Sequence, residues 1–480
     1  MIINKIEEKS DQEKESSRIY LKRSLSLFDT TLLLIGSVFG SGIFLTTGYI
    51  AEALPSPGWI LFVWFLGGII MLLGALSFAE LGASMPRAGG QYVYLNEAYG
   101  NSAGFLFGWT YFLVIHCGGV AALAVGFSEY LGYFVPPLSN QEILFKLDID
   151  GFPYSLSSGQ LVAILAIGIL TIINCIGLRS GSTVQNIFTL MKIMAVAMIV
   201  ILGIALGRKG GDWHLSQFFA SDGFPGGSLL RGLGIALIAV MWTYDGWYAV
   251  NCTAGEIKNV RRNLPLGLIL GSFSIISIYI LMNCVYLLAL PVQRMKGVTR
   301  IAELAMTSMF GGTASSLINS VVMVAIFGCL SSTVIYGPRV FFAMAEDKLF
   351  FKSMARIHPR FRTPHIAIVG QAIWSSLLCL SGTYQALYEY VVFAVVLFFA
   401  ATGLSVFVLR RRKPELQRPY KAWGYPIVPS VFILINFWIF LNTVREEPGK
   451  SFLGLLLIGL GVPAYFYWKR SSKKRDKQLL

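Results

Sequence analysis

Charge is scarce in this 480-residue sequence: Asp, Glu, Lys and Arg together make up 13% of it, against about 25% in ordinary soluble domains. With 55% apolar residues and a mean hydropathy of +0.65, that shortage excludes a soluble globular class. Histidine is rarer still, at four scattered residues. There is no CxxC pair for a structural metal, no phosphate-cradling loop and no nucleophile–histidine–carboxylate set. Neither an enzyme nor a resident metal or cofactor is expected. The six cysteines (Cys117, Cys175, Cys252, Cys284, Cys329, Cys379) all fall inside apolar runs, so no disulfide framework is expected.

Long apolar runs, in contrast, are plentiful. Stretches of about 20 residues, the length that crosses a bilayer, recur along the whole chain. Twelve spans are predicted, at 27–49, 57–84, 101–134, 157–178, 183–207, 230–254, 265–291, 314–343, 364–382, 385–410, 426–444 and 451–468. The first follows a charged tail and has no small-residue cleavage site, so it does not read as a removed signal peptide.

The net charge of +14 is explained by topology. With both termini on one side, that side carries 29 of the 39 basic residues, the other side nine, and Lys192 lies inside a span. Positive residues accumulate on the cytoplasmic side, so both termini are expected there, in the cell membrane. The basic excess suits anionic lipid and does not read as a nucleic-acid surface.

Two of the predicted spans are interrupted. The first contains Gly36-Ser37-Val38-Phe39-Gly40-Ser41-Gly42-Ile43-Phe44, and the sixth contains Trp242-Thr243-Tyr244-Asp245-Gly246-Trp247. In lipid, freed backbone groups cost several kcal/mol, on the order of a lost hydrogen bond each, unless something satisfies them. Small residues at four-residue spacing also serve close helix packing, and that reading stays open for Gly36 and Gly40 taken alone. Paired breaks in two halves, however, are the best pointer to a transporter built from inverted repeats. The organisation expected is a cytoplasmic tail at 1–24, one repeat at 25–210, a second at 228–412, two further helices at 424–468 and a tail at 469–480. Such tails are too short for the soluble output domain that a membrane sensor would carry.

Several ordered motifs resemble the amino acid–polyamine–organocation superfamily, and its L-type amino-acid transporter branch in particular. They are Gly40-Ser41-Gly42-Ile43-Phe44; Ala79-Glu80-Leu81-Gly82 through Pro86-Arg87-Ala88-Gly89-Gly90-Gln91-Tyr92-Val93-Tyr94-Leu95; Tyr244-Asp245-Gly246-Trp247; and Glu256-Ile257-Lys258-Asn259 with Arg262-Asn263-Leu264-Pro265. Gly337-Pro338-Arg339 and Leu409-Arg410-Arg411-Arg412-Lys413-Pro414 also fit, and the likeness runs from about residue 25 to 430. The resemblance implies an all-α polytopic membrane protein of about twelve helices, with a leucine-transporter-like 5+5 inverted repeat and broken helices 1 and 6. It implies amino-acid transport by alternating access.

Roles follow for particular residues. Backbone N–H groups at Gly40, Ser41, Gly42 and Ile43 can meet a substrate carboxylate, assisted by a helix N-terminus. Carbonyls freed at Trp242, Thr243 and Asp245 can accept from its ammonium. Trp242 resembles a gating aromatic, although core packing explains such a residue equally well. His116, Gly246, Phe393 and Ala394 are expected around the substrate side chain. Relatives often carry a polar residue and then tryptophan where Ala394 and Val395 stand, so an apolar wall and neutral, bulky substrates are expected. The resemblance also puts Lys192, with Ser331 and Ser332, where related transporters hold sodium. An intramembrane ammonium costs about 2.5–3.5 kcal/mol on insertion scales and defaults to a functional hypothesis; snorkelling to the interface is the alternative. A sodium-independent exchanger is expected, with a proton-coupled amino-acid or polyamine importer as the alternative.

Other intramembrane polar groups leave choices open. His116 reads either as proton-linked or as a hydrogen-bonded packing residue. Asp245 reads as a cavity carboxylate or as a partner for a backbone N–H at the break. Glu80 and Glu256 read as gating ion-pair partners of Arg87, Arg179 and Arg262, or as solvated helix ends. Animal members of the family pair with a glycoprotein heavy chain through a cysteine between helices 3 and 4. Residues 135–156 hold no cysteine, so a disulfide-linked partner is not expected.

Overall fold

A computed structural model describes residues 21–149, 152–206, 219, 228–380, 384–446 and 448–479. Most of the tail expected at 1–24, and Arg208 and Lys209 in the loop between the two halves, lie outside these residues. Ten helices among the described residues are long and apolar enough to cross a membrane.

The first span is broken, as the glycines predict. α1 (Leu27–Val38) opens on a capping box in which the Ser26 N–H donates to Asp29 at 2.9 Å and the Asp29 N–H donates back to the Ser26 hydroxyl at 3.2 Å. The chain leaves the helix at Phe39 and resumes as α2 (Gly42–Leu45) and α3 (Thr47–Ala53). α4 (Pro57–Ser84) begins with proline, whose missing N–H costs nothing at that position. A short α5 (Gln91–Tyr99) leads to α6 (Asn101–Thr110), which passes through a π turn at Tyr111–Ile115 into α7 (His116–Phe134).

One departure from an all-helical chain follows. An antiparallel hairpin, β1 (Ile143–Ile149) with β2 (Phe152–Ser157), sits between α7 and α8 (Ser158–Ile176). Isoleucine, phenylalanine and tyrosine recur in it, and strands of seven and six residues are too short to span a bilayer. The Asp150-Gly151 pair between them is a strong hairpin signal in the sequence itself. α9 (Leu178–Leu206) follows.

In the second half, α10 (Leu229–Thr243) stops at Tyr244 and α11 (Ala249–Cys252) resumes beyond Gly246. Then come α12 (Val260–Ala289), short α13 (Val292–Met295) and α14 (Ile301–Phe310), and α15 (Thr313–Tyr336). α16 (Pro338–Glu346), α17 (His365–Cys379), α18 (Tyr384–Arg412), α19 (Ile427–Glu446), α20 (Pro448–Gly459) and α21 (Gly461–Leu479) complete the chain. The spans expected at 230–254 and 364–382 are thus shorter helices, of 15 residues each. The segment expected as a tail from 469 continues as helix to Leu479.

Packing puts the broken helices in the middle. α12 lies against both α1 and α4, while α9 and α15 cover the other flank of α1. α10 meets α3 and α4, and α7 packs on α15. The outward faces are apolar: Leu161, Leu165, Ile169 and Ile172 on α8, and Met194, Met198 and Ile201 on α9, are exposed. Faces of this size without polar residues belong in hydrocarbon, not in water.

Candidate substrate-binding site

The first break frees backbone groups. The Gly40 N–H donates to Val38 at 2.9 Å and the Phe44 N–H to Ser41 at 3.0 Å, whereas the N–H groups of Gly42 and Ile43 have no partner among the described residues. Both therefore stand ready to donate, at the start of α2. Gly42 is also a steric requirement: a Cβ there would lie 2.5 Å from the Thr243 hydroxyl oxygen on α10. The Ile43 side chain is buried and its carbonyl accepts from the Tyr286 phenol at 3.3 Å.

The second break faces the first. Gly246 has φ +96°, a backbone conformation that L side chains rarely adopt. A Cβ at Gly246 would also sit 2.7 Å from the carbonyl oxygen of Ser37. The Ser37 hydroxyl donates to the Gly246 carbonyl at 3.0 Å, and the Thr46 and Thr243 hydroxyls meet at 3.0 Å. The Tyr279 phenol on α12 lies 2.9 Å from the Val38 carbonyl and 3.0 Å from the Thr243 carbonyl, so one side chain touches both breaks. Sequence reasoning missed Tyr279, because a lone tyrosine in an apolar helix carries no signal of its own.

Between the breaks lies a cavity. Ser37, Gly40, Ser41 and Gly42 line it from the first break, and Trp242, Thr243, Asp245 and Gly246 from the second. α7 adds Ile115, His116 and Gly119, and α15 adds Cys329, Thr333 and Tyr336. Its free space is about 40 Å³, where one water needs about 10–15 Å³, so in this conformation it admits only a small solute. The Trp242 carbonyl already accepts from the Asp245 N–H at 3.2 Å, and the Thr243 carbonyl is within reach of Tyr279. One buried carboxylate oxygen of Asp245 has no partner among the described residues, while the other accepts from the Tyr248 phenol at 3.4 Å. Asp245 lines the cavity, and its carboxylate also lies by the Gly246 backbone N–H at the break, so the two readings left open for it do not exclude one another. Phe393 and Ala394 lie off the cavity: both are buried, and the Phe393 ring packs 5.2 Å from that of Phe440 on α19. The Phe393 ring faces α19 and, beside Gly454, α20, which sequence spacing alone could not reveal.

Lys192 on α9 is 1% exposed, which excludes snorkelling. Its ammonium donates to the carbonyl oxygens of Gly36 at 2.9 Å and Phe39 at 2.5 Å, at the end of α1, and lies 5.3 Å from the Phe39 ring centre. These are the carbonyls that the break leaves without helical partners. Ser331 and Ser332 are buried on α15, but the ammonium donates to neither hydroxyl. Ser332 bonds back to Gly328 at 3.1 Å, and the Ser331 hydroxyl has no partner among the described residues. The expected bridge is therefore made on its α1 side only.

Two unwound helices thus surround a polar cavity, with an ammonium seated on the first break. The amino acid permease family model matches residues 25–462. The chain belongs to this family. Among relatives, the serine/threonine exchanger SteT of Bacillus subtilis is 31% identical over 453 residues, covering 94% of this chain and 98% of that protein. The human b(0,+)-type amino acid transporter 1 is 30% identical over 483 aligned positions, covering 98% of this chain and 94% of that protein. The mouse large neutral amino acids transporter small subunit 2 is 31% identical over 461 residues, covering 95% and 83% respectively. Family and relatives are transporters, and the permease is a multi-pass membrane protein of the same superfamily.

Away from the cavity, ion pairs fasten one end of the permease, with partners other than those expected. Glu80 on α4 accepts from Arg410 on α18 at 2.9 and 2.6 Å, and from the Ala422 N–H at 2.6 Å. Glu256, fully buried, is gripped by Arg339 on α16 at 2.7 and 3.0 Å. Arg87 pairs instead with Asp347 at 3.1 Å, and Tyr92 donates to the same carboxylate at 2.9 Å. Arg262 takes no part in these pairs, and the Arg179 side chain is outside those described. The true partners are 83 to 330 residues away in sequence, beyond what proximity along the chain suggests. The Ser24 and Leu25 N–H groups donate to the Glu256 carbonyl at 2.9 and 3.0 Å, and the Lys258 N–H returns a bond to Leu25 at 2.9 Å. The start of α1 is thereby stitched to the end of the second broken span.

Proposed function

We propose that this permease exchanges neutral amino acids across the cell membrane by alternating access, without sodium. The observation that carries this reading is the meeting of two broken helices at one polar cavity, with Lys192 seated on the carbonyls of the first break. A substrate carboxylate would take the N–H groups around Gly40, Ser41, Gly42 and Ile43, two of which have no other acceptor. Its ammonium would share the carbonyls of Trp242, Thr243 and Asp245. The clamp thus holds the part common to all amino acids and leaves the side chain toward α7 and α15. Trp242, at the edge of the second break, is positioned to move with it as a gate.

The Lys192 ammonium supplies a fixed positive charge at carbonyls that a bound cation would otherwise neutralise. That charge supports exchange independent of sodium. The distribution of basic residues supports cytoplasmic termini, and the spacing of the two breaks supports twelve crossings, with 25–210 and 228–412 as inverted repeats and 424–468 appended. The lack of cysteine in residues 135–156 supports operation without a disulfide-linked heavy chain.

The test is counterflow in proteoliposomes over a panel of amino acids, with sodium and pH varied independently. The reading expects labelled substrate to enter only vesicles preloaded with amino acid, whether sodium is present or replaced. Uptake into empty vesicles driven by a pH gradient would support the proton-coupled alternative instead.

A further inference from the structure

His116 stands out among the cavity residues because its surroundings fix it completely while leaving one ring nitrogen unspent. It begins α7 directly after the π turn at Tyr111–Ile115, a distortion often found at functional positions. The Tyr111 ring stacks on it at 4.9 Å and the Tyr336 ring meets it edge-on at 5.1 Å. Gly337 leaves room for it, since a Cβ there would fall 1.8 Å from Nε2. Nε2 is hydrogen-bonded to the Gln371 side-chain oxygen at 2.8 Å, and Gln371 is itself wholly buried on α17. Nδ1 has no partner among the described residues, and His116 lines the cavity.

Resting on the exchange reading above, we propose that His116, aimed by Gln371, reads a hydroxyl on the substrate side chain, so that the permease prefers small hydroxylated amino acids to their apolar isosteres. The backbone clamps lie on the two breaks, so the side chain of a clamped amino acid falls toward α7 and α15. That wall offers His116 together with the hydroxyl-bearing Thr333 and Tyr336. If Nε2–H donates to Gln371, Nδ1 is an acceptor; if the Gln371 amide is reversed, Nδ1–H is a donor. A hydroxyl both donates and accepts, so it satisfies either tautomer. A methyl group satisfies neither and leaves a desolvated ring nitrogen unpaired. Sites that hydrogen-bond a substrate group discriminate against the analogue lacking it far more sharply than apolar pockets discriminate by size. The small free volume of the cavity also favours short side chains.

The experiment measures competition by threonine against valine, and by serine against alanine, for counterflow exchange in proteoliposomes. Each pair differs chiefly by the hydroxyl. The wild-type protein should prefer threonine over valine by about tenfold or more, the equivalent of about 1.4 kcal/mol. His116→Leu should bring the threonine-to-valine ratio to within about threefold, and Gln371→Leu should lower it partway by releasing the ring. Because each ratio is taken within one preparation, differences in protein yield cancel, and the wild-type ratio and Gln371→Leu stand even if His116→Leu does not fold. Equal competition by threonine and valine in the wild type, or an unchanged ratio in His116→Leu, would overturn the inference while leaving amino-acid exchange intact. Failure of every amino acid to exchange would overturn the reading on which it rests.

Discussion

Gly246→Ala tests whether the two broken helices are held as one unit. At φ +96°, an L residue is strained by about 1–2 kcal/mol. The added Cβ would lie 2.7 Å from the Ser37 carbonyl oxygen, an atom of the backbone that cannot rotate away. Relief requires α1 to shift at its own break, and overpacking of this kind costs about 1–3 kcal/mol. Together the two terms amount to about 2–5 kcal/mol, so even the lower end is roughly thirtyfold in an equilibrium. The useful comparison is Gly168→Ala on α8, where a Cβ meets nothing within 4 Å and alanine improves helix propensity by up to about 1 kcal/mol. Half-saturation for counterflow and the thermal unfolding midpoint in detergent should both deteriorate in Gly246→Ala and hold in Gly168→Ala. If the two variants behave alike in both assays, the close apposition of the breaks does not matter to function and the reasoning fails.

Other expectations follow from single contacts. Lys192→Met removes two charge-assisted hydrogen bonds, each about 1.5–3 kcal/mol, and should abolish exchange; Lys192→Arg should not restore it, because a planar fork does not replace a compact ammonium. Arg339→Leu strands the fully buried Glu256 and should cost about 3–5 kcal/mol of stability, much of it recovered in the double variant Glu256→Leu/Arg339→Leu; equal unfolding midpoints for single and double variants would argue against a buried pair. Asp347→Asn at the half-exposed Arg87 should shift stability by less than about 1 kcal/mol. Burial, reinforced by the Asp347 carboxylate, raises the Tyr92 phenol above its ordinary value. Its neutral form is the one that fits the fold, so its contribution should be constant at neutral pH and lost only above about pH 10, where tyrosine ionises in the unfolded chain. Stability that varies with Tyr92→Phe between pH 6 and 8 would contradict that.

The elements legible in the sequence were those governed by local chemistry. Apolar length located most of the spans, and glycines beside polar residues marked both breaks. Lys192 could be singled out because an ammonium in lipid has few innocent explanations. What sequence could not supply was direction. Phe393 sits on a helix that crosses near the site, yet its ring turns toward α19 and α20. Tyr279 touches both breaks but looks like any tyrosine in an apolar helix. The partners of Glu80 and Glu256 are brought together only by the packing of α4, α16 and α18, not by neighbourhood in the chain. The hairpin at 143–157 was readable in principle from its alternating residues and the Asp150-Gly151 pair, but twelve long apolar runs masked it.

The most direct test of the central claim is sodium-free counterflow with the wild-type protein beside Lys192→Met, in vesicles preloaded with unlabelled neutral amino acid. The account predicts that labelled amino acid enters preloaded vesicles equally with sodium present or replaced by choline, that empty vesicles take up little, and that Lys192→Met takes up none. Uptake by the wild type that requires a sodium gradient, or full exchange by Lys192→Met, would contradict it.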